Sequence, residues 1–390
     1  MTSSRISIAA AGDVLINRPA PESALHSLAP LLRHADISTC NLEGVLGSDV
    51  DPLPGRGGIA IAPVENVAGL TMFDVVSLAN NHSLDAGHPG LFSTLKALDS
   101  IGVRSVGAGR SRHEAWAPRV MACRETTVAF IAASAILRVG YEAGANSPGI
   151  AALRSTDFYA SQFPGAIVPG APPRIHTEVN EEDWRRLEQA VRDAREQAEW
   201  VVANLHWGDH TAPFRLTQLE RQTARRLGEL GVDAVVGHHH HALRGIEFIG
   251  EMPVLYGLGH LVFDQLGYAD KFRREHADCA GWSDEAMEAR FGRYAHFPRR
   301  SGFLFDETSR WTAVARIDLS RGQGASVSLV PLRLNEDYVP EIVTRGSDAW
   351  HGFLSFIAQC QSAAQSTARI EDQGLEVEGL PALAVVRGDG

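Results

Sequence analysis

Six short β-branched runs separated by helical patterns constrain this chain more than any other feature, because five of them lead directly into side chains able to bind metal. The runs are Ile6 to Ala10, Ile37 to Asn41, Val75 to Leu78, Val128 to Ala132, Val201 to Leu205 and Ala234 to Val236. Between them, Gly90 to Ile101 puts Leu91, Leu95 and Leu98 on one face, and Glu181 to Trp200 repeats Trp184, Leu187, Val191 and Ala194. Both patterns have the period of amphipathic surface helices. Thr217 to Leu230 opens with a Thr217/Glu220 capping box and stops before Gly231, which predicts a third helix feeding a strand. Strands alternating with helices predict an α/β fold. From about Phe303 the pattern becomes antiparallel, with runs Trp311 to Asp318 and Ala325 to Leu334, so a mixed sheet or two stacked sheets is expected.

Two segments read as insertions: Phe158 to Glu178, rich in Pro and Gly, as a loop, and Tyr268 to Arg300, polar and aromatic, as a lid or substrate cap within 268–300. Residues 1–335 are expected to form one main α/β domain. Residues 336–390 are expected to add a helix around Trp350 to Ala364 and a polar tail without a catalytic role. A formal net charge of -11 offers no basic footprint for phosphate backbones, so nucleic acid is excluded as a partner and a polyanionic polymer is disfavoured. No apolar stretch reaches the roughly 20 residues that span a bilayer. The segment MTSSRISIAAAGDVL lacks the apolar core of a signal peptide and is expected to be the first strand. Cytoplasmic residence and a small-molecule substrate, with no membrane partner, follow as expectations. Cys40, Cys123, Cys279 and Cys360 form no CxxC pair, which argues against a disulfide framework or a thiolate zinc site.

The chemistry lies in the placement. Asp13 follows the first run, Glu43 the second, Asn81 and His82 the third, and His206 and the His239/His241 pair follow two later ones. Side chains at the carboxyl ends of strands converge in an open α/β sheet, so residues 230 positions apart can share one pocket. Taken singly, Asp13 could be a turn residue or helix cap, Glu43 a solvated loop carboxylate, and His206 a satisfied core histidine. Jointly, oxygen and imidazole ligands without thiolates suit iron, manganese or zinc. A carboxylate shared by two ions, with Glu43 the candidate, fits a two-metal hydrolase.

The motifs GDV at 12–14, NLEG at 41–44, ANNHSLDAG at 79–87, GAG at 107–109, HWGD at 206–209, GHHHH at 237–241 and PVLYGLGHLVFD at 253–264 resemble one family. It is the CapA-type poly-gamma-glutamate or capsule synthesis family, a metallophosphatase-like branch of the calcineurin-like phosphoesterases. The resemblance covers roughly Ile6 to Asp264. It implies a four-layer α/β/β/α sandwich with mixed sheets, and two divalent or mixed-valence ions (Fe, Mn or Zn, with iron favoured). Asp13, Glu43 and His241 are implied on one ion, and Glu43, Asn81, His206 and His239 on the other. It also implies His82 at the leaving group or oxyanion. Asp85 is expected to fix the loop that aims Asn81 and His82. The chain departs from the pattern at Leu15, where the wider superfamily has a histidine two residues after its first aspartate. It also has His210, His240 and His260 where the family usually has glutamate, proline and asparagine. Of these three, His260 is expected to reach the pocket as a ligand or an acid/base group.

This machinery predicts hydrolysis by a metal-activated water, with His82 at the leaving group. A small acyl thioester or ester of acyl-CoA type is the expected substrate, with Phe291, Tyr294, Phe297, Phe303 and Phe305 as a candidate apolar wall. A phosphomonoesterase or phosphodiesterase, in which Arg244 holds a phosphate, is one alternative. A non-catalytic accessory role in capsule polymer synthesis is the other. The glycines at Gly55 to Gly58 and Gly107 to Gly109 fit no nucleotide-binding pattern.

Overall fold

The structure is a computed structural model that describes residues 5–54, 60–166, 168–264, 283, 286 and 307–388. Its first strand, Arg5–Leu15, is the middle of a ten-stranded sheet. It runs parallel to Ile37–Leu42 on one side and antiparallel to Trp311–Ser320 on the other. A second, six-stranded sheet centres on Trp200–His206, parallel to both Thr126–Ser134 and Ala234–His238.

Side-chain alternation along these strands builds the layers. Ile6, Ile8 and Ala10 face the second sheet and pack with Phe130, Val202 and Val236, whereas Ala9 and Ala11 face the other way, with Leu25, Leu31 and Leu91 of the flanking helices. On the far side, Ile131, Val201, Ala203 and Val235 pack against Trp184, Leu187 and Val191 of the Glu181–Gln197 helix and Leu227 of the Gln218–Glu229 helix. Three separate cores divide four layers, helix on sheet on sheet on helix, as expected. Thr217 with Glu220 forms the complete capping box expected of the Gln218–Glu229 helix, and Asn180 caps the Glu181–Gln197 helix by accepting from the Glu182 and Asp183 N–H groups.

The first strand changes partners halfway. Residues 5 to 10 pair with Trp311–Ser320, while Asp13 to Leu15 pair with His260–Phe263, and the register slips on either side of Asp13. Gly12 is the residue at the crossover. A Cβ there would lie 1.9 Å from the Gly259 carbonyl oxygen, so only glycine lets that backbone come close enough to accept the Asp13 N–H at 2.8 Å.

Three expectations need correction. Residues 158–178 are not a plain loop: Ser155–Ala160 and Arg174–Val179 form an antiparallel hairpin whose residues are nearly all exposed. It touches little core, so no apolar alternation marks it in the sequence. Trp200 does not end a helix; that helix stops at Gln197, and Trp200 starts the next strand. The polar tail contains two short strands, Arg369–Glu371 and Leu383–Val386, that extend the ten-stranded sheet along Gly324–Leu334. Apart from Ser283 and Ala286, the 268–300 cap lies outside the described residues, as do its aromatic wall and Gly55 to Gly58.

Candidate metal centre

Both sheets deliver their polar residues to one place. Asp13 lies within its strand, at the slipped register, and not beyond the strand end. It stands beside Asn41 on one neighbouring strand and His260 on the other, so three polar side chains lie abreast. From the second sheet, His206 and His238 are paired at the strand ends. The chain then enters a tight turn in which His239 (φ 91°) and His241 (φ 54°) both adopt the left-handed region. Such a conformation costs a non-glycine residue on the order of 1–3 kcal/mol and persists where surrounding contacts impose it. The loop after Val75–Ser77 contributes Asn80, Asn81 and His82.

Asn41, not singled out by sequence reasoning, ties the acids together. Its amide donates to Asp13 Oδ1 at 2.8 Å and Glu43 Oε2 at 3.3 Å, and lies 3.4 Å from His206 Nδ1. Asn80 in turn donates to Asn41 Oδ1 at 3.0 Å and accepts the His82 N–H. Both sit within NLEG and NNH, and the i, i+2 spacing of Asn41 and Glu43 was the available signal. His206 Nε2 is 2.7 Å from Asn81 Oδ1. Asp13 Oδ2 lies 3.3 Å from the His239 N–H and 3.4 Å from His241 Nδ1, and its Oδ1 lies 3.4 Å from His238 Nδ1. His82 Nδ1 is 2.7 Å from Asp85 Oδ2, which also accepts the Ala60 N–H, so Asp85 fixes the ring and joins two loops.

The atom that distinguishes the centre is Glu43 Oε1. It is buried without a hydrogen bond among the described residues, yet His206 Nε2, His241 Nε2 and His82 Nε2 stand 3.6, 3.7 and 4.0 Å away. These gaps exceed hydrogen-bond length. Two ligands each about 2.1 Å from one ion, at about 100° to each other, lie about 3.2 Å apart, so the spacing is near that of atoms sharing a cation. Glu43, His206 and His239 form one group of potential ligand atoms within 4.8 Å of one another, and Asp13, Glu43 and His241 form a second. Glu43 is common to both.

Electrostatics agrees with this fit. Burial and the nearby Asp13 carboxylate push Glu43 well above the usual carboxylate range, a penalty that a cation would relieve. Burial also works to raise Asp13, but hydrogen bonds and charge from His238 and His241 outweigh it and hold Asp13 well below that range. Burial drives His206 and His239 well below the ordinary imidazole value, and takes His210 down to about 4, leaving neutral rings with lone pairs. Anionic oxygens and neutral imidazoles are the donors that divalent first-row ions take.

All nine expected site residues are brought into this one region. Asn81 is half-buried, while Asp13, Glu43, His82, Asp85, His206, His239, His241 and His260 are buried. His260 stacks on His241, with ring centroids 4.7 Å apart, and Leu15 packs in the apolar core. His210, ranked below His260 in the sequence, also reaches the centre: its Nδ1 lies 3.0 Å from His239 Nε2. His240 points away and pairs with Glu220 at 2.9 Å. Arg244, the phosphate-binding candidate of the phosphoesterase alternative, is occupied elsewhere. It is buried, and its guanidinium donates to the carbonyls of Leu243, Asp209 and Ala212.

Residues 7–265 match the family described as Bacterial capsule synthesis protein PGA_cap. A probable polyglutamine synthesis accessory protein of Mycobacterium tuberculosis is 30% identical over 254 residues, covering 62% of this chain and 59% of that protein. The PGA biosynthesis protein CapA of Bacillus subtilis is 29% identical over 197 residues, covering 50% and 43%. The chain spans 43% to 66% of the length of the curated relatives it matches. Among solved structures, the calcineurin-like phosphoesterase YfkN from Bacillus subtilis aligns at 11% identity and a TM-score of 0.40, over 92% of this chain and 97% of that one. Among the described residues, no helix is long and apolar enough to cross a membrane.

Proposed function

The chain belongs to the bacterial capsule synthesis protein PGA_cap family, and from that premise we propose that it is a metal-dependent hydrolase with a two-metal centre. One observation carries the proposal: a buried carboxylate oxygen, Glu43 Oε1, has no hydrogen bond among the described residues and is ringed by three imidazole nitrogens at 3.6 to 4.0 Å. Asp13, Glu43 and His241 would hold one ion, and Glu43, Asn81, His206 and His239 the other. When bound, a divalent pair supplies Lewis-acid charge and lowers the pKa of coordinated water from about 15.7 towards about 7.

The chain's own residues do the rest. Asn41 holds the Asp13 and Glu43 carboxylates in one orientation. Asp85 takes the Nδ1 side of His82, so that Nε2 is turned towards Glu43 and is free to pass a proton to a leaving group. Burial on every side but that of Asn81 and His210 limits competing water. For the substrate we favour a small acyl ester or thioester. The charges acting on Asp13 and Glu43 come from imidazoles and carboxylates, and Arg244 is spent on carbonyl oxygens. Iron is the first metal to assay. A second reading, an accessory role in polyglutamate synthesis, is favoured by the names of relatives 29% and 30% identical to this chain.

The test is metal content of the purified protein, then turnover of an aryl phosphate, an acyl-CoA panel and poly-γ-glutamate, each before and after chelation. About two ions per chain with chelator-sensitive thioester cleavage is the expected result. Preference for the aryl phosphate would replace the substrate class. Bound metal without any turnover would favour the accessory role, and no metal after reconstitution would remove the hydrolase reading.

A further inference from the structure

We infer that His210 is a positioning residue of this centre, fixing the ring of His239 so that Nδ1 is the nitrogen offered to a metal. The inference rests on the two-metal reading above. His210 Nδ1 lies 3.0 Å from His239 Nε2, and the two rings meet edge to face, 4.8 Å apart at 88°. His239 Nδ1 is buried and has no hydrogen-bond partner among the described residues. A neutral imidazole carries one N–H and one lone pair. With the proton on Nε2 and donated to His210, the lone pair stands on Nδ1.

The main chain of His239 is already fixed, at φ 91° with its N–H towards Asp13. The two side-chain torsions are the freedom that remains, and the contact with His210 holds the ring in one of the orientations they allow. His210 is itself held. It follows His206 by four residues, across a turn at Gly208 (φ 87°), and the neighbouring Asp209 anchors that turn by accepting from Thr211 N at 2.8 Å and Thr211 Oγ1 at 2.6 Å. A ligand imidazole oriented through its second nitrogen is the usual way in which a metal site sets tautomer and ring angle, and loss of such a partner costs roughly 10–100-fold in metal affinity.

The experiment is titration of metal-free protein with Co(II), followed by visible absorption and by competition with a chelator, for wild type, His210→Ala and His210→Asn. In His210→Ala, one of two ions should bind roughly 10–100-fold more weakly, with a changed absorption band, while the other is unaffected. His210→Asn should restore both, because its amide oxygen can accept from His239 Nε2 in place of the ring nitrogen. Two ions bound by His210→Ala with wild-type affinity and spectrum would overturn the inference and leave the two-metal reading intact. Equal loss in Ala and Asn variants would also overturn it, since the effect would not depend on the hydrogen bond. Wild type that takes up no Co(II) would remove both.

Discussion

Glu43 carries an electrostatic penalty that exists only without metal. In the metal-free protein its carboxylate is buried, near Asp13, and short of hydrogen bonds at Oε1. Glu43→Gln keeps the shape and removes the charge, so metal-free Glu43→Gln should unfold no earlier than metal-free wild type. With metal the order should reverse. Ligand present at 100 times its Kd stabilises wild type by about 2.7 kcal/mol, and the variant should gain clearly less. Thermal unfolding with EDTA and with added metal measures both; an equal gain in the two proteins would contradict a bridging role for Glu43. The residues most legible in the sequence were of this kind: carboxylates and imidazoles at strand ends, whose chemistry has few uses in combination. Asn41 and Asn80 escaped notice because an amide near a strand end is usually only a turn former, and its role in linking two acids depends on cross-strand register. His210 and His240 were indistinguishable as letters. A turn at Gly208 sends one towards His239, and the left-handed residues on either side send the other away.

At the scale of elements, the strained His239 to His241 turn is held from behind by a helix start. His240, between the two left-handed residues, gives Nε2 to Glu220 Oε1, while Glu220 Oε2 accepts from Thr217 N at 2.5 Å and Thr217 Oγ1 at 2.7 Å. One carboxylate thus completes a helix cap and pins the turn that aims two candidate ligands. Glu220→Ala removes the reciprocal half of the capping box and strands a buried imidazole, for a combined cost of about 2–4 kcal/mol. Glu229→Ala, exposed on the same helix, should stay within about 0.5 kcal/mol of wild type. Urea unfolding of both variants tests this, and equal stability would show that the pin contributes nothing. The capping box was visible as Thr-x-x-Glu, but its second duty was not, because Glu220 and His240 are 20 residues apart and meet only where the Gln218–Glu229 helix packs beside the Ala234–His238 strand. Strands buried on both faces announced themselves as β-branched runs. The exposed Ser155–Ala160 and Arg174–Val179 hairpin did not, having no buried face to impose a pattern.

Across the whole molecule, the two sheets share a core built from alternate residues of their inner strands, and the centre lies at the edge where both sheets end. The α/β class was legible from alternation alone, whereas the count of layers came from resemblance, because periodicity marks a buried strand without saying which sheet owns it. The C-terminal tail was misread for a related reason: strands of three and four residues are too short to display a period. Yet Val377, Ala382, Leu383 and Val385 are buried there, and Leu383 pairs with Leu329 in the main sheet. Burying a Val or Leu side chain contributes about 1.5–3 kcal/mol, so removing Val377, Leu383 and Val385 together forfeits at least about 4 kcal/mol. That is a large share of the roughly 5–15 kcal/mol that holds a typical domain folded. A chain truncated before Arg369 should therefore be insoluble or open to limited proteolysis at temperatures where the full chain resists. Because the tail borders the Gly324–Leu334 strand and not the metal centre, any truncated protein that stays folded should still bind metal. A truncated chain with the unfolding midpoint of the full chain would show that the two terminal strands carry no weight in the sheet.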